Sequence, residues 1–240
     1  MRSRVGHFAT AGLALSLIAA CSGAGTQDPA AKFGCGPIDG AGAVSASYVI
    51  FGEVIETNEA PAAFAELACQ LAARQPKDKP LWVGLPDYIG GTTEPVRAMR
   101  RRIEELAAKG APIVIGEALN GHTVGASRRE ETEREWAGAI MASMKTAGAG
   151  RALLMVPRSF GVAERVVAED RRLEDYTPMA LFLTEGEVMN LEIGQAPNIG
   201  APTIRLYLKM RRGYVGQIAF ETVTPAFKSE PGKPPGATKE

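Results

Sequence analysis

The fold of this chain depends most on the segment Tyr48-Val49-Ile50-Phe51-Gly52-Glu53-Val54-Ile55-Glu56-Thr57-Asn58-Glu59-Ala60-Pro61. Its first four residues are apolar and mostly β-branched or aromatic, which predicts an interior strand, and Gly52 permits a sharp exit from that strand. Pro61 is tolerated in the first turn of a helix, so a helix is expected next. Glu53 and Glu59 therefore flank the carboxyl end of the strand, where open parallel sheets bind ligands. These two carboxylates are the first candidate catalytic pair.

The segments that follow alternate between short apolar runs and amphipathic stretches. Runs at 81–85, 112–116 and 151–156 predict strands, and the stretches between them have apolar residues at helical spacing. This alternation predicts a parallel sheet with helices on both faces. Beyond residue 187 the pattern changes to short strands at 188–193, 204–208 and 214–222, the last two separated by Arg212-Gly213. We therefore predict an α/β fold with a mostly parallel sheet, helices on both faces and C-terminal antiparallel strands.

The N-terminus predicts export. Arg2 and Arg4 precede an apolar run at 8–20, which is too short to span a bilayer and is typical of a secretory signal. The run ends in Leu17-Ile18-Ala19-Ala20-Cys21, which resembles the lipobox of bacterial lipoproteins, where cleavage exposes a cysteine that receives acyl chains such as palmitate. The alternative is an ordinary signal peptide with an incidental cysteine. Ser22 after Cys21 favours the outer membrane over the inner one, so we expect a lipid-anchored protein on the periplasmic face.

Four regions are expected from composition. Residues 1–20 form the signal peptide, 21–45 a flexible tether rich in Gly, Ala and Ser, 46–224 a single α/β domain, and 225–240 a disordered, proline-rich tail. Cys35 and Cys69 remain as a pair in an oxidising compartment, which favours a disulfide over two reduced thiols.

Charge and histidine content exclude several functions. The chain carries 27 basic and 27 acidic residues, so nothing in its net charge would attract nucleic acid. It has 2 histidines, and removal of the signal peptide leaves only His122. Because a transition-metal site needs three or four nitrogen, sulfur or oxygen ligands, we expect no such metal and no bound cofactor.

The segment from Gly52 to Pro61 resembles the opening motif of the haem-uptake ChaN-like, erythromycin-esterase and Tiki superfamily. In that superfamily a strand ends in Gly-Glu-x-His and a second Glu begins the next helix. The likeness extends, more weakly, to about Pro225. It implies an α/β fold and a hydrolytic site built from histidines and carboxylates, and for some relatives haem binding.

This chain departs from that motif set at four positions. Ile55 and Phe160 stand where the resemblance places the two histidines, Pro86 stands where it places an acid, and Glu135 replaces an aspartate. Isoleucine and phenylalanine cannot transfer protons or bind a metal. We therefore predict an inactive member that binds a small ligand or an envelope protein at the same crevice. The candidate binding residues there are Arg134, Arg158 and His122.

Three alternatives stay open from the residues. Glu53 and Glu59 could act as a hydrolytic acid/base pair or hold a hard cation; against this, Glu53 could pair with an arginine and Glu59 could complement a helix N-terminus. Haem carriage would use His122 or a tyrosine as axial ligand. Ser159 follows a strand as a nucleophile elbow does, but it lacks the glycine two residues earlier.

Overall fold

The structure is a computed structural model that describes residues 29–53, 57–87, 93–120, 129–157, 186–211 and 214–224. At some strand and helix ends, including Glu53 and Pro86, it describes the backbone alone. The predicted signal peptide with Cys21, the tail at 225–240, and Ile55, His122, Arg158, Ser159 and Phe160 all lie outside the described residues.

Helices and strands alternate through the first two thirds of the chain, as predicted. The helices are α1 (Glu59–Ala73), α2 (Glu94–Ala108) and α3 (Arg129–Ala147). The strands are β1 (Tyr48–Glu53), β2 (Leu81–Asp87), β3 (Ile113–Asn120), β4 (Arg151–Pro157), β5 (Val188–Gln195), β6 (Thr203–Arg211) and β7 (Tyr214–Phe220). Within the described part of the chain, no helix is long and apolar enough to span a membrane.

The strands form a sheet of 7 in the order β3-β2-β4-β1-β5-β7-β6. Every neighbouring pair is parallel except β6 and β7, which form an antiparallel hairpin. The predicted α/β fold with a mostly parallel sheet is thereby confirmed. The antiparallel part is limited to β6, because β5 and β7 run parallel to the central strands.

Both faces of the sheet are covered because side chains along each strand alternate between them. Val49 and Phe51 of β1 belong to a core with α1 and α2. Tyr48 and Ile50 belong to a second core on the opposite face, with Ile140 of α3. Central strands of this kind are apolar on both sides, which is why β1 and β4 read as continuous apolar runs.

Trp82 shows how closely the second core is packed. Its side chain is 1% exposed, and its indole N–H donates to the Ser143 hydroxyl of α3 at 3.0 Å. A Cβ atom added at Gly116 of the neighbouring strand would lie 2.1 Å from the indole ring. The tryptophan therefore fits because residue 116 has no side chain.

The prediction of a flexible tether at residues 21–45 is partly wrong. Residues 31–33 and 41–43 form single 3-10 turns, and four buried side chains of this segment belong to the α1 core; they are Phe33, Ile38, Ala41 and Val44. Arg74 of α1 also donates to the Ala41 carbonyl at 2.8 Å. Burial of four apolar residues outweighs the flexibility that the Gly and Ala content suggested. Residues 33–44 therefore contribute to the folded body.

Cys35 and Cys69 form a disulfide with a Cα–Cα distance of 5.6 Å. The bond joins the N-terminal segment to the middle of α1. Beside it, the Gln70 amide donates to the Gly36 carbonyl at 2.7 Å, and the Gly36 N–H donates to Glu66 at 2.5 Å. The covalent link and the hydrogen bonds thus secure the same segment.

Candidate functional site

The carboxyl ends of β1 and β4 lie side by side, where the sequence placed the candidate site. Glu53, the last residue of β1, is in register with Pro157, the last residue of β4. The expected neighbours Ile55 and Phe160 lie outside the described residues, so their proximity to the glutamates stays a prediction.

The sheet separates at the same edge between β2 and β4. These strands pair from Leu81 to Gly84, after which β4 continues alongside β1. The β2–β3 register also shifts between Leu85 and Pro86. Proline has no N–H to donate, so a proline at this point is compatible with an interrupted ladder. Pro86 therefore lies at a structural irregularity in the position where the superfamily resemblance places an acid.

Glu59, the first residue of α1, is bound through both carboxylate oxygens. Its Oε2 accepts the Thr224 backbone N–H at 2.9 Å, and its Oε1 accepts the Thr224 hydroxyl at 2.6 Å. A carboxylate in this position also interacts favourably with the N-terminal end of the helix dipole. Glu59 therefore attaches the C-terminal segment of the described chain to the start of α1.

Asn58 completes this attachment. Its backbone N–H donates to the Thr224 carbonyl and its side-chain amide donates to the Thr224 hydroxyl, both at 3.0 Å. Asn58 immediately precedes α1, but its side chain makes no capping hydrogen bond. The contact with Thr224 takes its place. We call Asn58, Glu59 and Thr224 the threonine clamp.

Arg134 and Glu135 lie on α3 and are exposed. Helix α3 covers the sheet face opposite to α1. The two residues are therefore on the other side of the sheet from Glu59, and the structure does not bring them together with it.

A groove of about 720 Å³ opens between α1 and α2, next to the threonine clamp. This volume falls within the range of small-molecule sites. The floor and walls are mostly apolar, with small side chains from both helices and a buried methionine; they include Ala62, Ala65, Pro95, Ala98 and Met99. Asn58 of the clamp also lines the groove.

Charged residues border the groove. Arg102 of α2 donates from Nε to Glu66 of α1 at 3.0 Å, and its Nη2 donates to the Gly34 carbonyl at 2.6 Å. Glu94 also lines the groove and is bound by Arg101 at 2.6 Å and by Arg97. The hydrogen bond from Arg101, and then that from Arg97, lowers the pKa of Glu94 below its usual value.

Small residues on the two helices are a weak sequence signal for this groove. Ala62 and Ala65 are three residues apart on α1, and Ala98 is on the facing part of α2. Small side chains on two facing helices do not by themselves create a groove, because the helices can move closer together unless other contacts keep them apart. Alanine is also a common helix residue for its propensity alone, so its presence does not distinguish a groove wall from an ordinary helix position.

Among the described residues, no group of three histidine, cysteine, aspartate or glutamate side chains is arranged to hold a metal ion.

No family model matches the chain, and no curated protein matches it. One solved structure, described as "The structure of the type III effector HopBA1", matches with 11% sequence identity and a TM-score of 0.42, covering 72% of this chain and 87% of that chain. A similarity this low carries no argument about fold or function.

Proposed function

We propose that this protein is a cell-envelope lipoprotein, lipid-anchored at Cys21, that binds a small ligand or partner without catalysing a reaction. We place it in the ChaN-like and erythromycin-esterase superfamily on the resemblance of its Gly52–Pro61 segment. The α1–α2 groove is the binding site that we propose.

The observation that carries this proposal is the hydrogen bonding of the Glu59 carboxylate. A general acid or base must bring a carboxylate oxygen within reach of the proton that it transfers, and an oxygen that holds a backbone N–H or a hydroxyl has fewer lone pairs and less freedom to do so. Both oxygens of Glu59 accept hydrogen bonds from Thr224, so the carboxylate has a structural role. With Ile55 and Phe160 at the motif's histidine positions, no imidazole is available there to replace it.

The lining of the groove indicates the kind of ligand. Its alanine and methionine walls favour an apolar body, and its polar residues at the border favour a ligand with a hydrogen-bonding group at one end. Glu66 pairs with Arg102, whereas Glu94 pairs with both Arg97 and Arg101, so the charges at this border sum to a small positive value that suits a ligand with one anionic group.

Hydrolysis is tested with the purified protein on panels of ester and peptide substrates, comparing wild type with Glu53→Gln. We expect no turnover by either protein. If the wild type hydrolyses a substrate and Glu53→Gln does not, the noncatalytic proposal fails and the carboxylate-pair alternative is correct.

Groove binding is tested with the fluorescent probe 8-anilinonaphthalene-1-sulfonate, which has an apolar body and one charged group. We expect Ala98→Trp, which fills the groove, to weaken binding about tenfold or more, since the apolar surface that the probe would bury is lost. Ala108→Trp is the matched control, because Ala108 is also exposed on α2 but does not line the groove. Equal binding by all three proteins would exclude the groove. A Soret band on adding haemin would instead identify haem as the ligand.

Lipidation is tested by labelling cells with radioactive palmitate. Wild type should incorporate the label and Cys21→Ser should not, and the labelled protein should fractionate with the outer membrane. Incorporation that persists in Cys21→Ser would contradict the assignment of Cys21.

A further inference from the structure

The α1–α2 groove is lined on both sides by residues spaced four apart. On each side a polar residue, an alanine and a charged residue follow one another: Asn58, Ala62 and Glu66 on one side, and Glu94, Ala98 and Arg102 on the other. Residues at this spacing lie above one another on one face of a helix. The groove is therefore polar at the helix starts, apolar in the middle and charged at the end formed by Glu66 and Arg102.

Arg102 is the group at the charged end that can bind an anion. Its Nε donates to Glu66 and its Nη2 to the Gly34 carbonyl, whereas no described residue accepts a hydrogen bond from its Nη1. Glu66 is already engaged, because it accepts from the Gly36 N–H as well as from Arg102. The Arg102 side chain is 23% exposed, so it is open to a ligand but partly shielded from water. A hydrogen bond to an anion is stronger in such a place than in open water.

The opposite end is less suited to an anion. The charged residue that lines the groove there is Glu94, and Arg97 and Arg101, which bind it, do not belong to the lining. An anion at this end would meet carboxylate oxygens first. An amphipathic ligand therefore places its charged group at Arg102 and extends its apolar part toward the helix starts.

The apolar stretch between the two ends sets the length of the ligand. Ala62, Ala65 and Ala98 line it together with Met99, which is 2% exposed. Just over two helical turns separate the first residue of α2 from Arg102, or about 12 Å along the helix axis. An extended chain advances roughly 1.2 Å per bond, as a peptide does over its three backbone bonds. About ten carbon atoms therefore span the groove.

The charge around the groove suits one negative charge on the ligand. Glu66 balances Arg102, and Glu94 is bound by two arginines, which leaves about one positive charge. A carboxylate carries one charge at neutral pH, whereas a phosphate monoester carries about two. Taking the groove as the binding site proposed above, we infer that its ligand is a medium-chain carboxylic acid. The carboxylate binds Arg102 and the alkyl chain lies along Ala98 and Ala62.

The charged group is tested by displacement of 8-anilinonaphthalene-1-sulfonate from the chain from Ser22 onward, which lacks the proposed lipid and keeps every described residue. Decanoate, decanol and decylamine have alkyl chains of equal length and differ in charge. We expect decanoate to bind about tenfold more tightly than decanol, because it gains a charge-assisted hydrogen bond, and decylamine to bind least. Equal or tighter binding of decanol or decylamine would overturn the assignment of a carboxylate.

Glu66→Gln combined with Arg102→Gln tests the contact with Arg102, since it removes the ion pair without leaving a lone charge. The preference for decanoate over decanol should disappear. Decanol should still bind as it does to wild type, which shows that the groove is formed. Arg100→Gln is the matched control, because it removes a cation of α2 that does not line the groove, and it should keep the wild-type preference. An unchanged preference in the double variant would overturn the role of Arg102.

The length of the alkyl chain is tested with wild type alone, so this result does not depend on the folding of a variant. Affinity should rise about two- to fourfold per methylene group from hexanoate to decanoate. It should then level off, so that tetradecanoate binds no more tightly than dodecanoate. A continued rise to tetradecanoate would contradict a ligand limited to the length of the groove.

Failure of this inference is distinguishable from failure of the proposed groove. If none of these compounds displaces the probe although Ala98→Trp weakens probe binding, the groove takes a ligand of another class and the carboxylic acid is wrong. If Ala98→Trp leaves probe binding unchanged, the proposed binding site is itself wrong.

Discussion

Removal of the Cys35–Cys69 disulfide should lower the free energy of unfolding by about 4 kcal/mol. The bond closes a loop with a sequence separation of 34 residues. Chain-entropy reasoning gives about 4 kcal/mol for a loop of this length, because the crosslink restricts the unfolded chain. A typical domain has only about 5 to 15 kcal/mol in total. The loss would therefore be a large share of the stability.

The native position of the N-terminal segment should survive this loss. Glu66, Gln70 and Arg102 all hold residues 34 to 36 by hydrogen bonds that do not need the disulfide. Phe33 also stays buried against α1. The effect should thus appear in global unfolding, with no separate early release of the segment.

The measurement is urea unfolding of the chain from Ser22 onward, followed by tryptophan fluorescence, for wild type with and without dithiothreitol and for Cys35→Ala with Cys69→Ala. With a slope of about 2 kcal/mol per molar urea, the midpoint should fall by about 2 M. Reduced wild type and the double variant should agree. An unchanged midpoint, or hydrogen exchange that shows residues 30–45 opening separately before the rest, would refute the loop-entropy reasoning.

The remaining predictions concern packing, the threonine clamp and one titration. Gly116→Ala should destabilise the protein by about 1 to 3 kcal/mol, because the new methyl group overlaps the buried tryptophan of β2. Gly138→Ala, at a helix position with open space, should stabilise it by about 0.5 to 1 kcal/mol in the same urea assay. Glu59→Gln should cost about 1 to 3 kcal/mol and speed amide hydrogen exchange at its threonine partner, since a charged acceptor is replaced; unchanged exchange would argue against the clamp. The pKa of Glu94, followed by carbon NMR, should lie below its usual value and rise in Arg101→Gln. Because that pKa is lowered in the folded protein, its contribution to stability is present above the unfolded pKa and is lost as pH falls through the folded value.

Local sequence patterns were sufficient to predict the helices and strands named here. The run at Tyr48 to Phe51 is β1, the spacing of Val96, Met99, Ile103 and Leu106 is the buried side of α2, and the alternating residues near 204–208 are part of β6. Apolar residues recur at helical spacing in an amphipathic helix and alternate in a half-buried strand, so these elements can be predicted from neighbouring residues alone. The Cys35–Cys69 disulfide was also predicted, from the even number of remaining cysteines and the predicted oxidising compartment, and it is confirmed.

Contacts between distant parts of the chain depend on the tertiary structure. Thr224 binds Glu59 across a separation of 165 residues, and no pattern near either residue predicts it. The Gly and Ala content at 30–45 suggested a tether, whereas the surface of α1 offered its few apolar residues a place to be buried. The β6 edge and the α1–α2 groove exist only once strand order and helix packing place their residues together. Composition and periodicity therefore specify the elements, and the burial of surface between elements decides which carboxylates are held in structural contacts.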